Sequence, residues 1–248
     1  MNILITILAG ILGLIIGSFL NVVILRMNTG RGLGGRSKCF SCNKTLAWYE
    51  LLPVVSYLVQ GGKCRNCKTP ISKQYALVEG VTALLFAGVA AQMNVLTQPI
   101  TVLLWLVLVS LGMIIAVYDI RHYVIPEMPL ILFLGTTIAI GFHGIAFLLV
   151  PLPFLLLWVV SRGAWIGFGD IELMACAGML LGITGGIAAV VSSFWIACIV
   201  ILPWYALQKL RKKNVSHKVP FGPFLLAGMY LVGIFGINVL TMIMGMVK

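Results

Sequence analysis

Acidic residues are scarce in this chain. Its 248 residues include six, two aspartates and four glutamates, against seventeen Lys and Arg, and charged residues of both signs make up 9%. A soluble globular domain has roughly a quarter charged residues. With 61% hydrophobic residues and a mean hydropathy of +1.10, a soluble domain is excluded and an integral membrane protein is indicated. At roughly 20 apolar residues plus a turn per span, the chain holds at most about ten spans, in one membrane domain with room for only a small soluble appendage. A basic n-region is also missing, since Met1-Asn2 leads directly into an apolar run from Ile3 to Leu25 that is long enough to span. No removable signal peptide is expected, and the first segment should remain as a helix. The net charge of +11 would suggest nucleic acid in a soluble protein. Here the bias of Lys and Arg toward cytoplasmic loops explains it, so no nucleic-acid partner is expected.

Apolar runs able to span are Ile3 to Leu25, Tyr75 to Gln92, Ile100 to Tyr118, Pro129 to Ile145, Ala146 to Ser161, Ile171 to Ile183, Gly186 to Leu207 and Phe221 to Val247. Pro151 and Pro153 favour a hairpin over one long helix near Gly144. The predicted fold is an all-α polytopic membrane protein of about eight transmembrane helices: a first helix over 1–25, a cytoplasmic loop over 26–74, and a seven-helix core over 75–248. With that loop inside, sixteen of the seventeen basic residues lie on the cytoplasmic side and only Lys248 lies opposite, as the positive-inside rule requires. The run Lys209-Leu210-Arg211-Lys212-Lys213 reads as a topology signal that meets anionic lipid headgroups.

The loop over 26–74 has about 50 residues and little to build a core from. It contains Cys39-Phe40-Ser41-Cys42 and Cys64-Arg65-Asn66-Cys67. Two CxxC pairs at this spacing can place four thiolates around Zn2+, which would supply the missing folding free energy. Disulfides or redox motifs are the alternative, disfavoured in a reducing cytoplasm. Cys176 and Cys198, single within spans, read as small core residues. Glu50 and Glu79 flank the loop and read first as ion-pair partners for its nine basic residues.

Asp119 and Asp170, the only aspartates, each end an apolar segment, and the topology puts both on the cytoplasmic face. Carboxylates against hydrocarbon are costly, and two together suggest a pair that shares a proton and works on water. Asp170 follows Gly167-Phe168-Gly169; taken alone it reads first as a helix N-cap, and Asp119 on the same face reverses that order. Asp119 alone could pair with Arg121 or His122. Glu172, two residues beyond Asp170, does not share its helical face and could instead bind a basic group on a substrate. Glu127 has the same ambiguity. His143 and His217 carry no partner signal.

These residues resemble the type IV prepilin peptidases, the leader peptidase/N-methyltransferase family of GxGD aspartic membrane proteases. The likeness runs nearly end to end: Gly17-Ser18-Phe19-Leu20-Asn21-Val22-Val23 in the first span, Trp48-Tyr49-Glu50 between the cysteine pairs, Ile71-Ser72, Tyr75 and Glu79 after them. Asp119 with Ile125-Pro126, Gly167 to Asp170, and Pro220-Phe221-Gly222-Pro223-Phe224 complete it. The resemblance implies an enzyme of the bacterial inner membrane that cleaves the basic leader from type IV prepilins or pseudopilins and methylates the new N-terminus with S-adenosylmethionine. Asp119 and Asp170 would be catalytic, Cys39, Cys42, Cys64 and Cys67 would bind zinc, and 75–248 would be the peptidase core. The 26–74 loop is too small for a Rossmann-type methyltransferase, which leaves Glu50 or Glu79 as candidates for holding the incoming ammonium. Two departures stand out: Glu172 sits where the family often has Lys, and Met27-Asn28 follows Arg26 where proline is common. A peptidase without methyltransferase activity, or an ion or metal transporter using paired membrane acids, are the alternatives.

Overall fold

The structure, a computed structural model, describes residues 3–29, 32–210 and 219–237. Nine α-helices occur among them: α1 (Ile3–Arg26), α2 (Val55–Val59), α3 (Gln74–Gln92), α4 (Pro99–His122), α5 (Glu127–Ile140), α6 (Gly144–Leu149), α7 (Leu152–Ser161), α8 (Phe168–Leu210) and α9 (Gly222–Gly233). Among the described residues there is no strand. Helices alone can satisfy every backbone group within the segment itself, which hydrocarbon demands. α1, α3, α4, α8 and the α6–α7 segment are each long and apolar enough to cross a membrane, and α5 and α9 are shorter apolar helices. The chain is an all-helical, multi-pass membrane protein.

Residues 1–114 and 115–248 form two compact units, divided within α4. In the first, α1 and α3 pack along their length. Gly13 and Gly17 permit this: a Cβ at Gly13 would lie 2.7 Å from Ala83 Cα, and one at Gly17 would lie 2.8 Å from Glu79 Cα. Small residues four apart let membrane helices approach at backbone distance, where van der Waals contact replaces the hydrophobic drive that lipid removes. The opposite face of α1, with Leu4, Leu8, Ile11 and Ile15, is exposed, as suits lipid.

In the second unit α8 packs against α5, α6 and α9. Its 43 residues are two helices joined at Gly182, whose φ of 73° no L-residue adopts cheaply. A Cβ at Gly186 would lie 2.9 Å from Gly178 Cα. Eight residues of straight helix would separate those positions by about 12 Å, so the chain reverses at Gly182. The sixth and seventh spans expected from sequence are therefore present, but the loop expected at 184–185 is replaced by a break at one residue. The Met179 carbonyl there accepts from His143 N–H at 3.2 Å and lies 3.0 Å from His143 Nδ1. His143, silent in the sequence, closes the break by serving a carbonyl that no helical partner reaches.

The fourth expected span ends early, at Ile140, and the fifth divides at Pro151 into α6 and α7. Residues 238–247 of the last span, residues 211–213 of the basic run, and His217 lie outside the described residues.

Candidate active site

Asp119 lies in the last turn of α4 and is 5% exposed. The helix ends three residues later, where Tyr123 takes a left-handed φ of 56° and its N–H bonds back to the Asp119 carbonyl at 2.8 Å. Ile125 and Pro126 then carry the chain into α5. The ion pair with Arg121 or His122 is not found: the His122 ring packs on Tyr118 at 4.4 Å. Among the described residues the one ion pair is Lys44–Glu50. Asp119 Oδ2 instead accepts the backbone N–H of Gly222 at 3.0 Å. Gly222 is the first residue of α9, so the carboxylate sits at a helix N-terminus, where unpaired N–H groups and the positive end of the dipole favour an anion.

Asp170 is half-buried in the first turn of α8. Since α8 begins at Phe168, Asp170 is its third residue and not its N-cap. Its carboxylate accepts the N–H of Gly167, the backbone half of a capping box. The charges of Asp119 and Asp170 act on one another, so the structure brings the two aspartates together. Gly169 makes room for this: a Cβ there would lie 2.9 Å from Ile125 Cβ. Ile125, after one aspartate, thereby seats against the glycine immediately before the other. Phe221 packs on Phe194 at 4.9 Å and Phe194 on Phe154 at 6.0 Å, fixing the entry to α9 and with it the Gly222 N–H.

The other carboxylates have neighbours of their own. Glu172 and Glu127 are exposed and feel each other's charge. Glu50 and Glu79 are each 6% exposed and engaged within the first unit. Glu50 Oε2 accepts Ala47 N–H at 2.9 Å, and Oε1 lies 3.5 Å from Lys44 Nζ. The Ala47 hydrogen bond, opposed by burial and aided by Lys44, holds the Glu50 carboxyl below its ordinary 4.5. Glu79 Oε2 accepts Val54 N–H at 2.7 Å. The ion-pair role expected of both holds for Glu50; Glu79 serves a backbone donor.

The four-cysteine loop is built from two matching turns. Cys39 N–H bonds the Lys44 carbonyl and Cys64 N–H the Thr69 carbonyl, both at 2.9 Å, while Asn43 and Lys68 donate back to Cys39 and Cys64, both at 3.0 Å. Asn43 and Lys68 take the same left-handed conformation, φ 54° and 59°. The two turns bring Cys39, Cys42, Cys64 and Cys67 together, every Sγ within 4.8 Å of the others, and no disulfide joins them. A tetrahedron of sulfurs about 2.3 Å from Zn2+ has edges of about 3.8 Å, and Cys39 Sγ and Cys67 Sγ are 3.7 Å apart. The Cys67 thiol, hydrogen-bonded to Thr69, is pulled down to about 6, toward the thiolate a metal requires. The donor set fits zinc.

Comparison with known proteins places this architecture. Over 246 residues the chain is 32% identical to the prepilin leader peptidase/N-methyltransferase of Bacillus subtilis, covering 93% of this chain and 94% of the relative. It belongs to the prepilin leader peptidase/N-methyltransferase family. The protein of that name from Pectobacterium carotovorum subsp. carotovorum is 30% identical, covering 92% and 90% of the two chains. The one from Myxococcus xanthus is 37% identical over 169 residues, 68% of this chain and 47% of the relative. Residues 11–93 match the family described as Bacterial Peptidase A24 N-terminal domain. No solved structure matches.

The hydrogen bond to Asp119 gives a task to one residue that had none in the sequence. Gly222 was legible only as part of a Pro-Phe-Gly-Pro-Phe motif. The signal was there: Pro223 marks a helix start, and a helix start is where a carboxylate finds donors.

Proposed function

We propose that this protein is an aspartic endopeptidase that removes the basic leader of type IV prepilins or pseudopilins and methylates the exposed amine. The observation that carries this reading is the pair of carboxylates, Asp119 on α4 and Asp170 on α8, close enough to feel each other's charge and each supported by a backbone N–H at a helix N-terminus. Like-charged carboxylates in such proximity share a proton. The ionised member takes a proton from water as the water oxygen bonds to the scissile carbonyl carbon; the protonated member donates to the carbonyl oxygen. The resulting gem-diol collapses as the amide nitrogen is protonated and the C–N bond breaks. No covalent enzyme intermediate is formed.

Cys39, Cys42, Cys64 and Cys67 hold structural zinc, which fixes a loop with few apolar contacts of its own. S-adenosylmethionine, as the family name suggests, would supply a sulfonium-activated methyl group for the new amine. Glu50 and Glu79 remain the candidates for holding that ammonium, since a carboxylate has about four lone-pair sites and each accepts from only two groups. The substrate site lies at the cytoplasmic side of the bacterial inner membrane, where the basic residues collect.

Mass analysis of a full-length prepilin incubated with wild type, Asp119→Asn and Asp170→Asn tests the dyad. Both variants should leave the leader attached; near-normal cleavage by either defeats the assignment. Glu50→Gln should lower methylation while sparing cleavage, and Asp170→Asn should still methylate a pre-cleaved pilin. Methylation that survives both Glu50→Gln and Glu79→Gln removes the carboxylates from that role.

A further inference from the structure

The four-cysteine loop carries an apolar stripe that faces outward. Trp48, Leu51, Leu52, Val55, Leu58 and Val59 are between 40% and 75% exposed, and Val55, Leu58 and Val59 share one face of α2. The opposite side turns inward: Glu50 is buried, and the Tyr57 hydroxyl packs against Gly62. A segment that is apolar outside and polar within is built for a surface that is not water.

The depth of the segment indicates what covers it. The loop leaves α1 at Arg26 and enters α3 at Gln74, and Asn21 Nδ2 ties the two helices by donating to the Tyr75 carbonyl at 3.3 Å. Val54, the residue before α2, donates its N–H to Glu79 at 2.7 Å. Glu79 lies five residues into α3, about 7.5 Å along its axis. α3 spans only about 28 Å, the thickness of the hydrocarbon core, so it has no length to spare above it. The start of α2 is thus held beside a spanning helix about 7.5 Å below its first residue, the depth to which interfacial helices bury their apolar faces below the headgroups. Val54 is held there at a positive φ of 59°, which a β-branched residue rarely takes.

Charge gives the same answer. Arg36, Lys38, Lys44, Lys63, Arg65, Lys68 and Lys73 are exposed, and the only acid between residues 26 and 74 is Glu50, buried and paired with Lys44. Such a set complements anionic headgroups, and tryptophan is an interfacial residue.

We propose that the Trp48–Val59 segment is an interfacial anchor seated at the boundary between headgroups and hydrocarbon of an anionic bilayer, with the exposed basic residues on lipid phosphates. It holds the cysteine knuckles at a set height on the membrane, independently of peptide cleavage.

The test uses the full chain in nanodiscs of mixed phosphatidylcholine and phosphatidylglycerol. A fluorescent amino acid is placed at Leu58 or, for reference, at Ser41 in the first knuckle. Headgroup-labelled nitroxide lipid should quench the label at position 58 several-fold more than that at 41, and aqueous iodide should do the reverse. Equal iodide quenching at both positions overturns the proposal. A photo-crosslinker at position 58 should capture lipid; capture of a second copy or of prepilin overturns it. With a label at Val55, the double change Leu58→Glu and Val59→Glu should lose most of the lipid quenching at unchanged zinc content. Undiminished quenching at full zinc content overturns it.

Discussion

Asp119 owes its position to a residue 103 positions away, Gly222. The N–H of Gly222 holds Oδ2, and a Cβ at Gly222 would lie 2.8 Å from the same oxygen. Gly222→Ala keeps the donor but forces the carboxylate aside. Displacing a charged hydrogen bond costs about 1–3 kcal/mol, so leader cleavage should fall about 10- to 100-fold with zinc content unchanged, as measured by turnover on prepilin. Glu50 allows a test with pH. Its folded-state pKa is depressed below 4.5, first by Ala47 N–H, so its contribution to the loop is present above 4.5 and is lost as pH falls through the lower folded value. The difference in amide-exchange protection of residues 47–52 between wild type and Glu50→Gln should be clear at neutral pH and vanish in acid.

Among the elements, α8 and α9 depend on close approach. A Cβ at Gly228 would clash with the Ala189 carbonyl and Ser193 Oγ, so Gly228→Val must separate α9 from the second half of α8. Gly222 lies six residues away on α9, about 9 Å along its axis, and moves with it. Gly228→Val should therefore depress cleavage without touching either aspartate, and should lower the thermal midpoint as an overpacked core does. The break at Gly182 is a separate requirement: Ala at φ 73° should cost about 1–2 kcal/mol, seen as a lower midpoint. In the cysteine loop, metal analysis should find one zinc per chain. Cys39→Ser should expose residues 26–74 to limited proteolysis, since a metal held there would stand in for a core. Zinc-free, unoxidised protein with an intact loop would contradict that role.

For the whole molecule, orientation is the testable property. The positive-inside distribution predicts the 162–167 connection on the cytoplasmic side and the 93–98 connection opposite. Leu96 and Trp165 are both exposed, at 76% and 71%, and suit cysteine substitution. On intact cells a membrane-impermeant thiol reagent should label Leu96→Cys and spare Trp165→Cys. The reverse pattern would invert the topology and remove the cytoplasmic placement of the dyad.

The amino-acid sequence by itself determined the membrane class, the succession of apolar segments, the pairing of two CxxC turns and the family. These rest on quantities that add along the chain or repeat at short spacing: transfer free energy summed over about 20 residues, and turn chemistry within a knuckle. Only the tertiary structure decided which donor holds Asp119, that Asp170 reaches back to Gly167 as the third residue of α8, and that Val54 occupies Glu79. It also decided that the chain reverses at Gly182 with His143 closing the gap. Each of these is a hydrogen bond or a close approach between separated segments. Such contacts depend on ångström distances and on direction, which hydropathy, being non-directional, does not encode.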